Sequence, residues 1–341
     1  MEIVAKTPNN SLSLPWRTRI HLRVLAFAID LACRANGTVN RILMNLFQTK
    51  IPPTLKPIDG LKTYDVVVNP NLNIWFRVYI PIEHAIEDLP LIVFFHGGGF
   101  AFLAPNVKLY DETCRNFARK LPAIIISVDY RLAPEHPYPA QYDDGIDVLK
   151  FLDDEENRSI CLLQNANFSR CFVAGDSAGG NIAHHVAQRA CQTKFKQLKV
   201  IGLLAIHPFF GGEKRTNSEK QLDGRVPMLT TKRTDWFWDA YLTRGEGCNR
   251  DHPSINVSGP QAVDIAKLSD FPETLVVVSG FDILHDWQKK YYEWLIHSGK
   301  QAQLVEYPNM FHDFFWFPEL PETNQFYLDV IDFVYNVFNK V

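Results

Sequence analysis

No charge of one sign dominates this sequence, and no block of five or more like charges occurs in it. Its 35 lysines and arginines stand against 38 aspartates and glutamates, a formal net charge of -3 over 341 residues. A chain so balanced has no global attraction for nucleic acid or for an anionic membrane surface. No stretch approaches the ~20 consecutive apolar residues that a membrane span requires. The six cysteines (Cys33, Cys114, Cys161, Cys171, Cys191, Cys248) are scattered, with no C-x-x-C pair and no metal-finger spacing. No structural metal or redox dithiol is therefore expected. Low-complexity tracts and internal repeats are also missing, while 46% of the residues are hydrophobic, enough for a large core.

Residues 17–32 place Arg17, Arg19 and Arg23 ahead of a short apolar run, a pattern that a secretory signal also shows. Asp30 interrupts the run, and Ile20, Val24, Phe27 and Leu31 recur at the spacing of one helical face. An amphipathic helix that buries those four residues is the expectation. A cytosolic setting with reduced thiols follows from it.

Beyond residue 60, apolar runs alternate with helical patterns. Strands are expected at 74–80, 91–95, 123–128, 171–174, 200–206, 274–279 and 303–307, and helices at 110–120, 141–153 and 287–298. Near-continuous apolar strands separated by helices imply a mostly parallel sheet covered on both faces. One domain spanning 1–341 is expected. Its N-terminal 1–50 and an insertion at about 209–270 break the rhythm and are expected to form a lid over the sheet's C-terminal edge, where open α/β sheets place their sites.

Acyl transfer needs a nucleophile, a base and donors for an oxyanion. Gly175-Asp176-Ser177-Ala178-Gly179 follows one apolar run and precedes a helical pattern, the context in which G-x-S-x-G holds a serine on a tight turn. Side chains at Gly175 or Gly179 would collide with neighbouring backbone there. Ser177 is the candidate nucleophile. His96-Gly97-Gly98-Gly99-Phe100 follows another apolar run, and no G-K-[ST] of a phosphate loop comes after it. The amides of Gly98, Gly99 and Ala178 are the candidate oxyanion donors.

The base and acid are expected after the serine. Of the histidines well beyond the serine and after the insertion begins, His252 lies in the polar insertion, His285 crowds the candidate acid and His297 sits inside a helical pattern, which leaves His312, on a loop past the last strand. For the acid, Asp282 lies just past the strand at 274–279. Asp286, directly ahead of the helix expected at 287, suits an N-cap. His184-His185 is not a metal pair, because adjacent helical residues point apart. Asp176 is expected to be a buried hydrogen-bonding support. The aromatic runs at 236–238 and 314–317 suit a pocket wall or the core equally.

With these residues placed, the sequence resembles plant carboxylesterases of the hormone-sensitive-lipase-like group of α/β-hydrolases. The matching segments are His96-Gly-Gly-Gly-Phe100, Asp129-Tyr-Arg-Leu-Ala-Pro-Glu-His136, Gly175-Asp-Ser-Ala-Gly179 and Gly280-Phe-Asp-Ile-Leu-His-Asp-Trp287. The resemblance implies the α/β-hydrolase fold and hydrolysis of small-molecule esters, without a cofactor. Asn36-Gly-Thr-Val-Asn-Arg41, Asp235-Trp-Phe-Trp-Asp-Ala-Tyr241 and Asn249-Arg-Asp-His-Pro253 are similar to segments of the gibberellin receptors, non-enzymatic relatives that have lost the triad histidine. A small-molecule receptor, or a dehydratase or cyclase of plant specialised metabolism, is thus the alternative to a serine esterase. His312 favours the esterase. Asp313, directly after it, departs from the small apolar residue common in relatives, and a second carboxylate there is expected to raise the imidazole pKa. No residue pattern fixes an oligomeric state.

Overall fold

Apolar runs rich in Val, Ile and Phe suit strands that are buried on both faces, and eight strands form one sheet. The computed structural model describes residues 12–82, 88–160, 163, 165–242 and 249–340. Cys161, Cys248, the start of the expected N-terminal lid (1–11) and positions 243–248 of the insertion lie outside the described residues. The strands are β1 (Leu61–Asn69), β2 (Ile74–Pro81), β3 (Leu89–Phe95), β4 (Ile124–Asp129), β5 (Ala166–Asp176), β6 (Val200–Ile206), β7 (Glu273–Phe281) and β8 (Ala302–Phe311). Their spatial order is β1-β2-β4-β3-β5-β6-β7-β8. The pairs from β4 to β8 are parallel, while β1 and β2 run antiparallel at one edge. Every residue of β3 is buried, so side chains alternating to the two faces are all covered.

The helices are α1 (Trp16–Ala32), α2 (Arg41–Phe47), α3 (Lys108–Lys120), α4 (Ala140–Asp153), α5 (Glu155–Ile160), α6 (Ala178–Ala190), α7 (Asn217–Leu222), α8 (Thr231–Tyr241), α9 (His285–His297) and α10 (Pro321–Phe338). Among them, α6 packs on β3, β5 and β6 beside α4, and α3 packs on β2 and β4 beside α10. Gly299 follows α9 with φ 72, as a helix C-cap requires. Asp286, however, is not the N-cap: the helix begins one residue before it, with Leu284 at the cap position. Its carboxylate instead accepts the Ser218 N–H at 2.8 Å, which ties α9 to α7.

The first helix forms where expected but turns its other face inward. Ile20, Val24, Phe27 and Leu31 are 49%, 48%, 58% and 46% exposed, whereas Thr18, Leu22, Ala28, Ile29 and Ala32 are buried. Both sets recur at helical spacing, so periodicity alone does not choose between them. The buried stripe carries the small residues Ala28 and Ala32 and the Thr18 hydroxyl, which donates to Glu319 at 2.6 Å. Close approach decides the docking, and the bulkier stripe is left outside.

Because β3 to β8 are parallel, their C-terminal ends share one edge. The chain leaves that edge at His96, Ser177, His207, Asp282 and His312, each just beyond its strand. The N-terminal segment lies over the same edge, tied down by Arg41 to Glu135 (2.5 Å), Arg233 to Asp30 (2.7 Å) and Trp236 Nε1–H to the Arg34 carbonyl (2.9 Å).

Candidate active site

Ser177 stands between β5 and α6 with φ 53 and ψ -119, a conformation that L-residues rarely hold. Such a residue carries ~1–3 kcal/mol of backbone strain and persists only where its surroundings enforce it. Here its N–H donates to the Ile206 carbonyl (2.9 Å), and its own carbonyl accepts from the amides of Phe209 (2.9 Å) and Asn181 (3.2 Å). The glycine expectation holds: a Cβ on Gly179 would lie 1.9 Å from the Phe95 carbonyl oxygen, and one on Gly175 would lie 2.3 Å from the Gly179 backbone. Strand β3 presses against the turn too closely for any side chain.

Asp282 and His312, thirty positions apart, meet at the sheet edge, with His312 Nδ1–H donating to Asp282 Oδ2 at 2.6 Å. Asp282 is completely buried, and it also accepts the Leu284 N–H (2.9 Å) and the Gln288 side-chain amide (2.8 Å). Although burial opposes its charge, His312 and the Leu284 N–H hold its carboxyl below the ordinary range. The other histidines weighed as bases lie elsewhere. His285 binds Glu306 at 3.0 Å, exposed His297 binds the Glu293 carbonyl, and His252 pairs with Ser254 Oγ at 2.7 Å.

In the glycine loop, the Gly97 N–H is taken by Tyr110 Oη (2.6 Å) and Asp176 Oδ1 (3.2 Å). Gly98, at φ 104, turns the chain so tightly that a Cβ would meet the Phe102 carbonyl oxygen at 2.4 Å. Gly98 and Gly99 then line the cavity that also holds Ser177 and His312. Ala178 is buried at the first position of α6. As expected, Asp176 is a buried support, accepting the Tyr110 hydroxyl at 2.6 Å. Burial and the nearby Asp313 charge push its carboxyl well above the ordinary range.

The cavity measures about 40 Å³, far below the ~300 Å³ at which small-ligand pockets begin. Its roof is apolar and comes from both irregular segments: Leu25, Ile29 and Met44 from the N-terminal arm, Met228, Leu229 and Phe237 from the insertion. The aromatic runs divide residue by residue. Phe237 and Trp316 face the cavity, while Trp238 stacks on Phe209 at 4.0 Å and Phe315 on Phe326 at 4.7 Å.

Sequence reasoning missed His207, completely buried at the C-terminal end of β6, with Nε2 2.8 Å from Ser279 Oγ. The signal was available, since this histidine directly follows an apolar strand whose end points at the site. His184 and His185 reach separate partners, Tyr291 Oη and the Ser254 carbonyl. Among the described residues no group of three or more His, Cys, Asp or Glu side chains is arranged to hold a metal ion, and no helix is long and apolar enough to cross a membrane. Cys33, Cys114, Cys171 and Cys191 are free thiols.

A family profile described as the alpha/beta hydrolase fold matches residues 92–316, from β3 past His312. The chain belongs to the α/β-hydrolase family. Within the family it is 38% identical to a gibberellin receptor of Arabidopsis thaliana, over 92% of this chain and 91% of the receptor. It is also 38% identical to a probable carboxylesterase of the same plant, over 69% of each chain. An ester hydrolase from the metagenome of Lake Arreo, solved with a phosphonate derivative, superposes with a TM-score of 0.72. That pair is 27% identical, over 94% of this hydrolase and 98% of the other. Esterase-like and receptor relatives thus both match across most of the chain.

Proposed function

We propose that this α/β-hydrolase is a serine carboxylesterase acting on small-molecule esters without a cofactor. Ser177 Oγ attacks the ester carbonyl carbon while His312 Nε2 takes the hydroxyl proton. The carbonyl π pair moves onto oxygen, which the amides of Gly98, Gly99 and Ala178 hold. Collapse expels the alkoxide, which leaves as the alcohol with the proton from Nε2, and an acyl group remains on Ser177. Water, deprotonated by the same nitrogen, then releases the acid and restores the serine. Asp282 keeps the ring proton on Nδ1 and stabilises the imidazolium. The observation that carries this reading is the 2.6 Å Asp282–His312 bond beside a serine held on a strained turn.

In the same reading, the N-terminal arm and the insertion form a lid on a single domain. Their apolar roof suits an aliphatic or aromatic acyl group, and a cavity of about 40 Å³ admits an ester only when the roof lifts. Purified protein is expected to hydrolyse short p-nitrophenyl esters and to become labelled on Ser177 by a fluorophosphonate. Ser177→Ala should lower turnover by on the order of 10⁴-fold or more. Full turnover by the alanine variant would remove the proposal.

The 38% identity to a receptor over most of both chains favours a second reading, a small-molecule binding protein whose roof closes on its ligand. That reading requires tight binding that survives Ser177→Ala. Acyl-enzyme accumulating on Ser177 would count against it.

A further inference from the structure

His312 faces one carboxylate on each ring nitrogen. Asp282 takes Nδ1, and Asp313 Oδ2 lies 3.4 Å from Nε2, the nitrogen that must accept the serine proton. Nε2 is buried and has no hydrogen-bond partner among the described residues, Ser177 included. Asp313 is itself 1% exposed, and its carboxylate lines the catalytic cavity. Its backbone sits at φ 57, a left-handed conformation that Asp tolerates better than most residues. From behind, the Asp313 N–H donates to His207 Nδ1 at 3.3 Å, and Oδ1 lies 3.4 Å from that nitrogen. A buried histidine, itself anchored on Ser279, thus holds Asp313 in register.

We propose that Asp313 is a positioning residue of the acid–base machinery, holding the imidazolium proton of His312 away from Ser177 so that the site rests with its base already charged. The assignment builds on the reading of Ser177 and His312 as nucleophile and base. A neutral Nε2 offers only a lone pair, which a carboxylate repels. A protonated Nε2 offers a donor, which the carboxylate attracts. The proton that must leave before Ser177 can be activated is the one Asp313 favours.

The remaining groups around the ring do not cancel this. Asp282 past β7 adds to the attraction. Asp176 at the end of β5, bonded to Tyr110 of α3, is pushed toward its neutral form by burial and by Asp313. His207, past β6, spends its ring nitrogens on Ser279 and the Asp313 amide. His96, past β3, is held by burial down to about 4 and is neutral, stacked on Tyr130. Burial alone would depress His312 as well, but Asp282 and Asp313 outweigh it and lift the imidazole to about 9.

The test pairs a pH profile of kcat/KM on p-nitrophenyl acetate with an NMR titration of the His312 ring, in the wild type and in Asp313→Asn. The wild-type ring is expected to titrate near 9, with the rising limb of activity following it. Asp313→Asn should move both midpoints acidward by about one pH unit or more, a ~10-fold or larger gain in the base form at pH 7. A wild-type ring that titrates near 6.5 overturns the proposal, whether or not the variant folds. So does a variant whose activity falls at every pH with its midpoint unmoved, because that is the mark of a merely structural residue. If no ester is turned over but the ring titration moves as expected, the esterase reading fails while Asp313 keeps its hold on the proton.

Discussion

The two halves of this site are built on different principles. Below, on the sheet edge, the serine turn is fixed by the backbone: Ser177 by three main-chain hydrogen bonds and Gly179 by contact with Phe95. Above, the roof rests on apolar side chains and a few half-exposed ion pairs, with Arg41 and Glu135 side chains 32% and 49% exposed. Buried backbone geometry is stiff, because moving it breaks several bonds together. Exposed pairs contribute ~0–1 kcal/mol each and open locally. The difference teaches that the serine turn is held rigidly while the apolar roof over its small cavity, about 40 Å³, can yield.

The sharpest way to break this contrast is to attack the lower half at a single atom. Gly179→Ala introduces a Cβ 1.9 Å from the Phe95 oxygen, and no flexible side chain is there to yield. Strand β3 and the serine turn must separate, so urea denaturation should show a loss of at least ~3 kcal/mol, with fluorophosphonate labelling gone. A variant that unfolds at the wild-type midpoint would mean that the lower half is as compliant as the roof.

That stiffness is also why the lower half was legible in the sequence. Glycines at 175, 179 and 98 mark places where backbone meets backbone, and the apolar runs ahead of Ser177 and Asp282 mark strand ends. The parallel sheet then brought Asp282 to His312 without any local signal linking them. Strand β1 escaped because Leu61–Asn69 mixes polar and apolar residues on a half-exposed edge. Helix α1 was placed but rotated, since two apolar stripes compete along it and only tertiary packing chooses. The roof residues Leu25, Met44 and Met228 carry no spacing of their own. His207 was legible in principle, being the residue after an apolar strand, but it precedes the insertion, and a triad base is expected after it.

The roof should respond far more weakly than the sheet. Arg41 bridges Glu135 (3.0 and 2.5 Å), the Ala133 carbonyl (2.7 Å) and the Ala101 carbonyl, and so fastens α2 to the glycine loop. Arg41→Ala should cost about 1 kcal/mol of global stability. Its larger mark should be local: amide exchange along α1 and α2 rising several-fold while the β5–β6 core keeps its protection. Exchange rising equally in both places would join the two halves into one cooperative unit and end the comparison.

The smallest effect expected separates the halves by pH. Asp30 on α1 accepts two hydrogen bonds from Arg233 on α8, both at 2.7 Å, and that donor holds its carboxyl below the ordinary range against a modest opposing effect of burial. A depressed carboxyl contributes stability above its unfolded value of ~3.9, and the contribution is lost as pH falls through the lower folded value. Asp30 is 56% exposed, so solvent screening cuts this to a few tenths of a kcal/mol. His312 runs the other way: its raised imidazole contributes fully below ~6.5, and that contribution is lost as pH rises through about 9. Asp30→Asn should therefore narrow the gap in α1 amide protection between pH 3 and pH 6 by less than about twofold, and leave protection between pH 6 and pH 9 unchanged. A clear change in the alkaline window would place the roof within reach of the charges around His312, and access would then be coupled to the proton that Asp313 holds.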